Sequence, residues 1–286
     1  HRLRYRRTGP WQATQVVMTL DSRRRFLLCV MGGLGSATAG AMLLPHLRQS
    51  VISADDRLDE SAFKSATVTR LALGTTVSIR AHHRDLGQAM RAIEAGFDAI
   101  ERVEQALSLY REDSDLSRLN REGVIKAPHP DLVTVLQHAA HTSQLTQGAF
   151  DVTVQPLWRM FSMARSDRRM PSEEEVTLAR TSVDWTAVEI DPSQVRLRKP
   201  GMAITLNGIA QGFAVDRVMQ VLRAHGIEHA LVDTGQCGAI DGNSNSQPWS
   251  VGIQHQRDAV ALASRIALKN RCLATSGDYA TSFFFF

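Results

Sequence analysis

The sequence predicts an α+β protein, with antiparallel or mixed sheets and helices packed on them. Three observations point there. Strand-like and helix-like segments follow one another without the regular alternation of a doubly wound sheet. Two long segments, 85–108 and 209–225, carry their apolar residues on one helical stripe. Residues 186–206 read as a hairpin that turns at Asp191-Pro192-Ser193.

Each element has its own signal. Residues 66–82 alternate with Val68, Leu71, Leu73, Val77 and Ile79, which gives a strand pair or a bent strand broken at Gly74. In 85–108, Leu86, Met90, Ile93, Phe97, Ile100, Val103 and Leu107 recur at spacings of three and four. A short polar segment, 113–120, has room for one or two helical turns. Residues 131–146 are helical, with Leu132, Val135, Leu136 and Leu145, and Gly148 ends them. Residues 157–164 are helical again. Ser172 and Glu175 form a capping box for a helix over 172–181. Val188 and Ile190 lie on one hairpin arm, Val195 and Leu197 on the other, and Ile204 and Leu206 begin a further strand. Ile209, Phe213, Val218 and Leu222 mark the helix of 209–225. Residues 229–234, 249–254 and 264–275 are short strands. Repeats and low-complexity tracts are lacking, as are the glycine-rich dinucleotide loop and the Walker sequence.

The 286 residues carry a net charge of +4, but the positive charge is uneven: Arg2, Arg4, Arg6, Arg7, Arg23, Arg24 and Arg25 fall in the first 25 residues. The rest is close to neutral, so the pI of about 9.2 is no nucleic-acid footprint. Residues 22–28 read Ser-Arg-Arg-Arg-Phe-Leu-Leu and lead into an apolar, glycine-bearing run from Cys29 to Leu44. This is the pattern of a secretory signal, and the paired arginines resemble a twin-arginine export signal. The run is short for a membrane span; an N-terminal anchor helix is the alternative. Residues 1–54 are therefore expected to be an extension and signal segment, with cleavage after Ala54, and 55–286 the functional domain, in the periplasm. Of the three cysteines, Cys237 and Cys272 are either one disulfide or two separate thiols. The ten histidines are scattered without a ligand spacing.

Five short segments stand out for their order along the chain. They are Leu73-Gly74-Thr75-Thr76; the stretch from Tyr110 to Asn120; Gly148-Ala149-Phe150-Asp151 and the residues to Leu157; Leu206-Asn207-Gly208-Ile209-Ala210-Gln211-Gly212 and on to Asp216; and Ala274-Thr275-Ser276-Gly277-Asp278-Tyr279. In this order they resemble the ApbE family of FAD:protein FMN transferases, over roughly residues 66–282. The resemblance implies a flavin-transferase domain related to the T-fold, FAD as substrate, Mg²⁺ across its pyrophosphate, transfer of FMN to a threonine of an acceptor protein, and release of AMP. Such chemistry asks for positioning and charge neutralisation more than for covalent help.

Carried over residue by residue, the resemblance implies flavin contacts at Leu73, Gly74, Thr75, Tyr110, Ala149, Phe150 and Asp151. It implies cofactor contacts at Thr205 and Gln211, a metal contact through the backbone carbonyl of Gly208, and a charged group near the phosphate at Asp278. Asp216 matches a residue expected to be structural. The sequence departs from the family pattern at Thr205, usually Asp, and at Gln211, usually Lys or Glu; both are neutral hydrogen-bonding groups. The family's His-x-x-Asp-Pro motif, with the Asp and Thr that follow it, has no counterpart after His255, and the sequence closes on Phe283 to Phe286. The expectation is a chain cut short at its C-terminus. The twin-arginine signal, the wording of 205–216 and the Val232-Asp233-Thr234-Gly235 segment are similar to the NosX branch, which flavinylates a membrane electron donor for nitrous oxide reductase maturation. A non-catalytic flavin-binding maturation factor is the alternative.

Overall fold

The computed structural model describes residues 49–51, 63–255 and 258–276. Alternating apolar residues make the strands β2 (Lys64–Ala72) and β3 (Thr75–His83), an antiparallel hairpin in full register from Lys64↔His83 to Ala72↔Thr75. Val68, Val77, Ile79 and Ala81 face inward and are buried. The backbone of β1 (Gln49–Val51) pairs outside β2, within the stretch expected to be the signal segment. On the other side β7 (His229–Asp233) pairs with β3, β8 (Cys237–Ile240) with β7, and β11 (Cys272–Leu273) with β8, all antiparallel.

Two helices cover one face of this sheet. Asp85 caps α1 (Leu86–Leu107), its carboxylate accepting from Gly87 N at 2.8 Å. The stripe of Ile93, Phe97 and Ile100 packs with Val218, Met219 and Leu222 of α6 (Ala210–Ala224) over the strands. Gly238 is what lets α6 come down on β8: a Cβ there would lie 2.4 Å from both Met219 Sδ and Val215 Cγ1.

A second cluster lies beside the first. It is framed by a three-stranded sheet of β4 (Val124–Lys126), β6 (Gln194–Leu197) and β5 (Val188–Asp191), in that order, with α2 (Asp115–Glu122) and α3 (Pro130–Leu145). Its buried members include Leu116, Leu119, Leu132, Leu136, Val195, Ile204 and Leu206. The helices α4 (Gln155–Ser166) and α5 (Glu173–Thr181) pack on each other nearby, and Ser172 and Glu175 form the reciprocal capping box that the sequence predicts. A ribbon of β9 (Trp249–His255) and β10 (Asp258–Leu268) precedes β11, with Trp249 and Leu268 packing on Cys237 and Ala239. Among the described residues, no helix is long and apolar enough to cross a membrane.

The structure corrects the sequence reading at three places and decides between the two cysteine arrangements. Residues 202–206 are buried but form no strand; Ile204 bonds to a side chain instead of a neighbouring strand. The segment 264–275 is two strands, because the chain bends at 269–271 between β10 and β11. The short strands β4 and β8 carry too few residues to show a period, and β8 is buried throughout. Cys237 and Cys272 are free thiols. Cys272 pairs with Gly238 and faces Met219 on α6, whereas Cys237 packs with Trp249 on the opposite face of β8. The period of two along a strand sends the thiols to opposite sides. Burial, with Asp233 adding to it, pushes the Cys237 thiol up to about 12.

Candidate functional site

The first four segments meet at the edge of the second cluster, where Leu73, Leu109, Phe150, Ile209 and Phe213 all pack against it. Leu73 and Gly74 are the two-residue turn of the β2–β3 hairpin. Both have positive φ, +55° and +70°, the arrangement that matches the strand twist. Nothing lies within 4 Å of a Cβ placed on Gly74, so its conformation, not close packing, calls for glycine. Glu104, near the end of α1, holds the turn by accepting from Leu73 N at 2.8 Å. Burial raises the Glu104 carboxyl above its usual range, against the pull of that bond. Leu73 also touches the first cluster, so the turn sits where the two meet.

Tyr110 follows α1 and is 61% exposed, its ring open to solvent. Its hydroxyl end comes close to the Asn207 amide. Burial of that end pushes the phenol above its usual range and Asn207 pulls it back. Asn207 Nδ2 is itself buried and makes no well-formed hydrogen bond among the described residues.

The third segment is pinned from within. Thr146 Oγ1 accepts from Phe150 N at 3.0 Å. Asp151 caps a single 3₁₀ turn, Val152–Val154: its Oδ1 accepts from Thr153 N at 2.8 Å and Thr153 Oγ1 at 2.6 Å, and its Oδ2 from Trp185 N at 3.3 Å. Burial raises this carboxyl, and the three donors oppose the shift. The Asp151 carboxylate is thus already engaged in ordering the segment, while Ala149 and Phe150 are left at its half-exposed edge. Phe150 reaches the fourth segment: its ring carbon Cε2 is 3.5 Å from where a Cβ on Gly208 would stand.

The fourth segment runs from the buried stretch 202–206 into α6. Thr205 N donates to Val152 O at 2.8 Å, which ties it to the third segment. Thr205 Oγ1 lies 3.4 Å from Asn207 N, a weak turn bond. No side chain caps α6; Ala210 N already donates to Leu206 O at 2.7 Å, and the rest of the first turn, which bears Gln211, presents its N–H groups and a partial positive charge. Gln211 Nε2 is 3.9 Å from the Cβ position of Gly235, in the β7–β8 turn. Gln236, next in that turn, accepts from Thr275 N at 3.2 Å, so the described start of the fifth segment lies at the same end of α6. Asp278 lies outside the described residues. Asp216 is on the exposed side of α6.

Sequence reasoning did not single out Glu104, Asn120, Asn207 or Gln236 as part of this arrangement. Asn120 alone left a signal: a polar side chain beside the buried Leu116 and Leu119 of its helix. The Mg²⁺ that the resemblance implies needs several oxygen donors. Among the described residues no three His, Cys, Asp or Glu side chains gather as a metal site, and Gly208 offers one carbonyl. These residues alone do not fit the ion.

A flavin-transferase architecture is what the fold resembles. The structure of the flavin transferase ApbE from Vibrio cholerae matches with a TM-score of 0.68 and 28% identity, over 78% of this chain and 74% of that one. The ApbE protein of Thermotoga maritima matches with a TM-score of 0.70 and 27% identity, over 78% and 73%. In sequence, the FAD:protein FMN transferase of Vibrio cholerae serotype O1 is 31% identical over 219 residues, 74% of this chain; the chain spans 65% of that relative's length. Residues 73–284 match the ApbE family, and the chain belongs to it.

Proposed function

We propose that the protein is an FAD:protein FMN transferase. A threonine hydroxyl of an acceptor protein attacks the phosphorus of the FMN half of FAD. The new oxygen–phosphorus bond forms as the bond to the AMP phosphate breaks; AMP leaves, and the hydroxyl proton passes to solvent or a base. The observation that carries this reading is the convergence of Phe150 on Gly208 and of Tyr110 on Asn207, at the uncapped start of α6. The open Tyr110 ring is suited to stack on a planar ligand, and a helix N-terminus suits phosphate. Family membership supports the same reading.

Magnesium dependence belongs to it, with Gly208 as one donor and Asp278 as a candidate charged group near the phosphate. So does export: the acceptor is an exported or membrane-bound electron-transfer subunit, as in the NosX branch, met on the periplasmic side.

The test mixes the full chain with FAD, Mg²⁺ and an acceptor domain bearing a candidate threonine, then follows AMP release and flavin fluorescence on a denaturing gel. A fluorescent acceptor band that disappears with EDTA and with Thr→Ala in the acceptor is the expected result. A second reading, a flavin-binding maturation factor, draws on the neutral Thr205 and Gln211, which add no charge beside the phosphates. It gains if FAD binds while no AMP and no labelled acceptor form.

A further inference from the structure

We infer that Asn120 is a positioning residue for the ligand-facing segment 203–208. Its side-chain amide does for Ile204 what a neighbouring strand would otherwise do. Asn120 Oδ1 accepts from Ile204 N at 2.7 Å, and Asn120 Nδ2 donates to Ile204 O at 2.8 Å. Both backbone groups of one residue are satisfied by one planar side chain from a helix far away in sequence. Ile204 is fully buried, as is Leu206, so loss of this partner would leave an amide and a carbonyl without water or protein to replace it.

The position of the clamp gives it a functional consequence. On one side of Ile204, Thr205 N is fixed to Val152 O; two residues beyond lie Asn207 and Gly208, against Tyr110 and Phe150. Asn120 and Val152 are therefore the two points that hold the extended stretch still before it turns into α6. Asn120 itself is well placed to stay put. It sits in α2, which Ser114 caps by accepting from Ser117 N at 3.0 Å and which Gly123 ends with φ +71°. Its helix neighbours Leu116 and Leu119 are fully buried. Asn120 touches no reacting group; it acts through the backbone of Ile204.

The inference rests on the transferase reading only for its choice of ligand. The experiment uses the full chain, as wild type, Asn120→Ala, Asn120→Asp and, as control, Arg118→Ala on the exposed side of the same helix. FAD is the probe. Two quantities are read: the Kd for FAD, and backbone amide exchange over 202–206 against 116–119. Asn120→Ala removes both bonds; Asn120→Asp keeps an acceptor for Ile204 N but sets an oxygen against Ile204 O. The expected result is a Kd raised by about tenfold or more in Asn120→Ala, the scale of one or two lost hydrogen bonds. Exchange at Ile204 then becomes fast while 116–119 stay protected. Asn120→Asp weakens binding with less gain in exchange, and Arg118→Ala leaves both readings at wild type. Unchanged FAD affinity in Asn120→Ala, with Ile204 exposed to exchange, would overturn the inference. So would loss of protection throughout 116–119 in both Asn120 variants, which would make Asn120 a residue of general stability. A wild-type chain that binds no FAD instead breaks the transferase reading, and is told apart because the exchange pattern of Ile204 is measured without ligand.

Discussion

The two clusters of this protein satisfy their backbone by different means. In the first, five of the six main-sheet strands pair over β2, β3, β7, β8 and β11, and α1 and α6 lie over them, so regular ladders and helices carry its backbone bonds. In the second, the segments that carry the candidate site are irregular, and side chains take the place of neighbouring strands: Asn120 for Ile204, Asp151 for Thr153 and Trp185, Thr146 for Phe150, Glu104 for Leu73. Regular pairing gives stability from many equivalent bonds. Side-chain bonds give a fixed shape that few residues control, which suits a surface that must hold a ligand in one pose.

The largest expected effect separates the two by stability alone. Ile79→Ala empties a fully buried site in the first cluster and should cost about 4 kcal/mol. Chemical denaturation would measure the loss, while FAD affinity well below the transition stays within twofold (about the resolution of a titration). Weakened affinity in the folded variant would break the division between the halves.

Acid comes next, because His82 in the first cluster and the Asp151 and Glu104 carboxyls respond to it with opposite sign. His82, paired with His229 across β3 and β7, accepts from Ser244 N through Nδ1 at 3.0 Å. Burial, then Arg80 and His229, lower its pKa from 6.5 to about 4. The unfolded chain therefore binds a proton that the folded one refuses, and stability falls as the pH drops from 6.5 to 4, by roughly 3 kcal/mol at most. Asp151 and Glu104, whose carboxyls are raised by burial, keep their protons to higher pH when folded, so acid favours the folded state through them. Denaturation midpoints at pH 7 and 4.5 check the sign: His82→Asn, which keeps an acceptor for Ser244, should lose less on acidification than wild type. An equal loss would assign the acid sensitivity elsewhere.

Asp151→Ala sharpens the other side. It deprives three donors of their acceptor and should cost about 2 kcal/mol, less than the sheet variant. Its effect on FAD binding should be the greater, because the segment beside Phe150 loses its hold on Thr153 and Trp185. Equal FAD affinity to wild type would show that the third segment holds its shape without the carboxylate.

The smallest effect concerns the thiols. Cys272 is exposed, and a maleimide should label it in the native protein; Cys237 should react only on unfolding. Peptide mass spectrometry under oxidising conditions should show no bond joining the Cys237 and Cys272 peptides, and such a bond would contradict the opposite-face arrangement.

These differences also explain what could be read in advance. The β2–β3 hairpin, α1, the capping box at Ser172 and the hairpin of β5 and β6 follow from local period and turn chemistry, which the sequence carries within a few residues. The failure at 202–206 has a plain cause. Ile204 and Leu206 alternate like a strand, but their partner is a side chain 84 residues away, and period alone cannot tell a sheet neighbour from an amide. Of the candidate site residues, Leu73, Phe150, Thr205 and Gly208 stand in segments recognisable by their order along the chain. That Asp151 spends its carboxylate on Thr153 and Trp185, and that Gln236 links Thr275 to the α6 end, depends on contacts that no local window contains.

Two helices belong to both clusters: α1 buries Ile93 and Phe97 in the first and Val103 and Leu107 in the second, and α6 does the same. Ala214 of α6 is buried in the second and Val215, Val218, Met219 and Leu222 in the first. The pair works as two axles seated in shared bearings, so loosening one half loosens the grip of the other. A molecule held at the first turn of α6 would then delay the melting of β3 and β7, which it never touches, in proportion to its saturation. Heat alone becomes an assay: a library of nucleotides and flavins could be ranked by the shift in midpoint, before any acceptor protein is in hand.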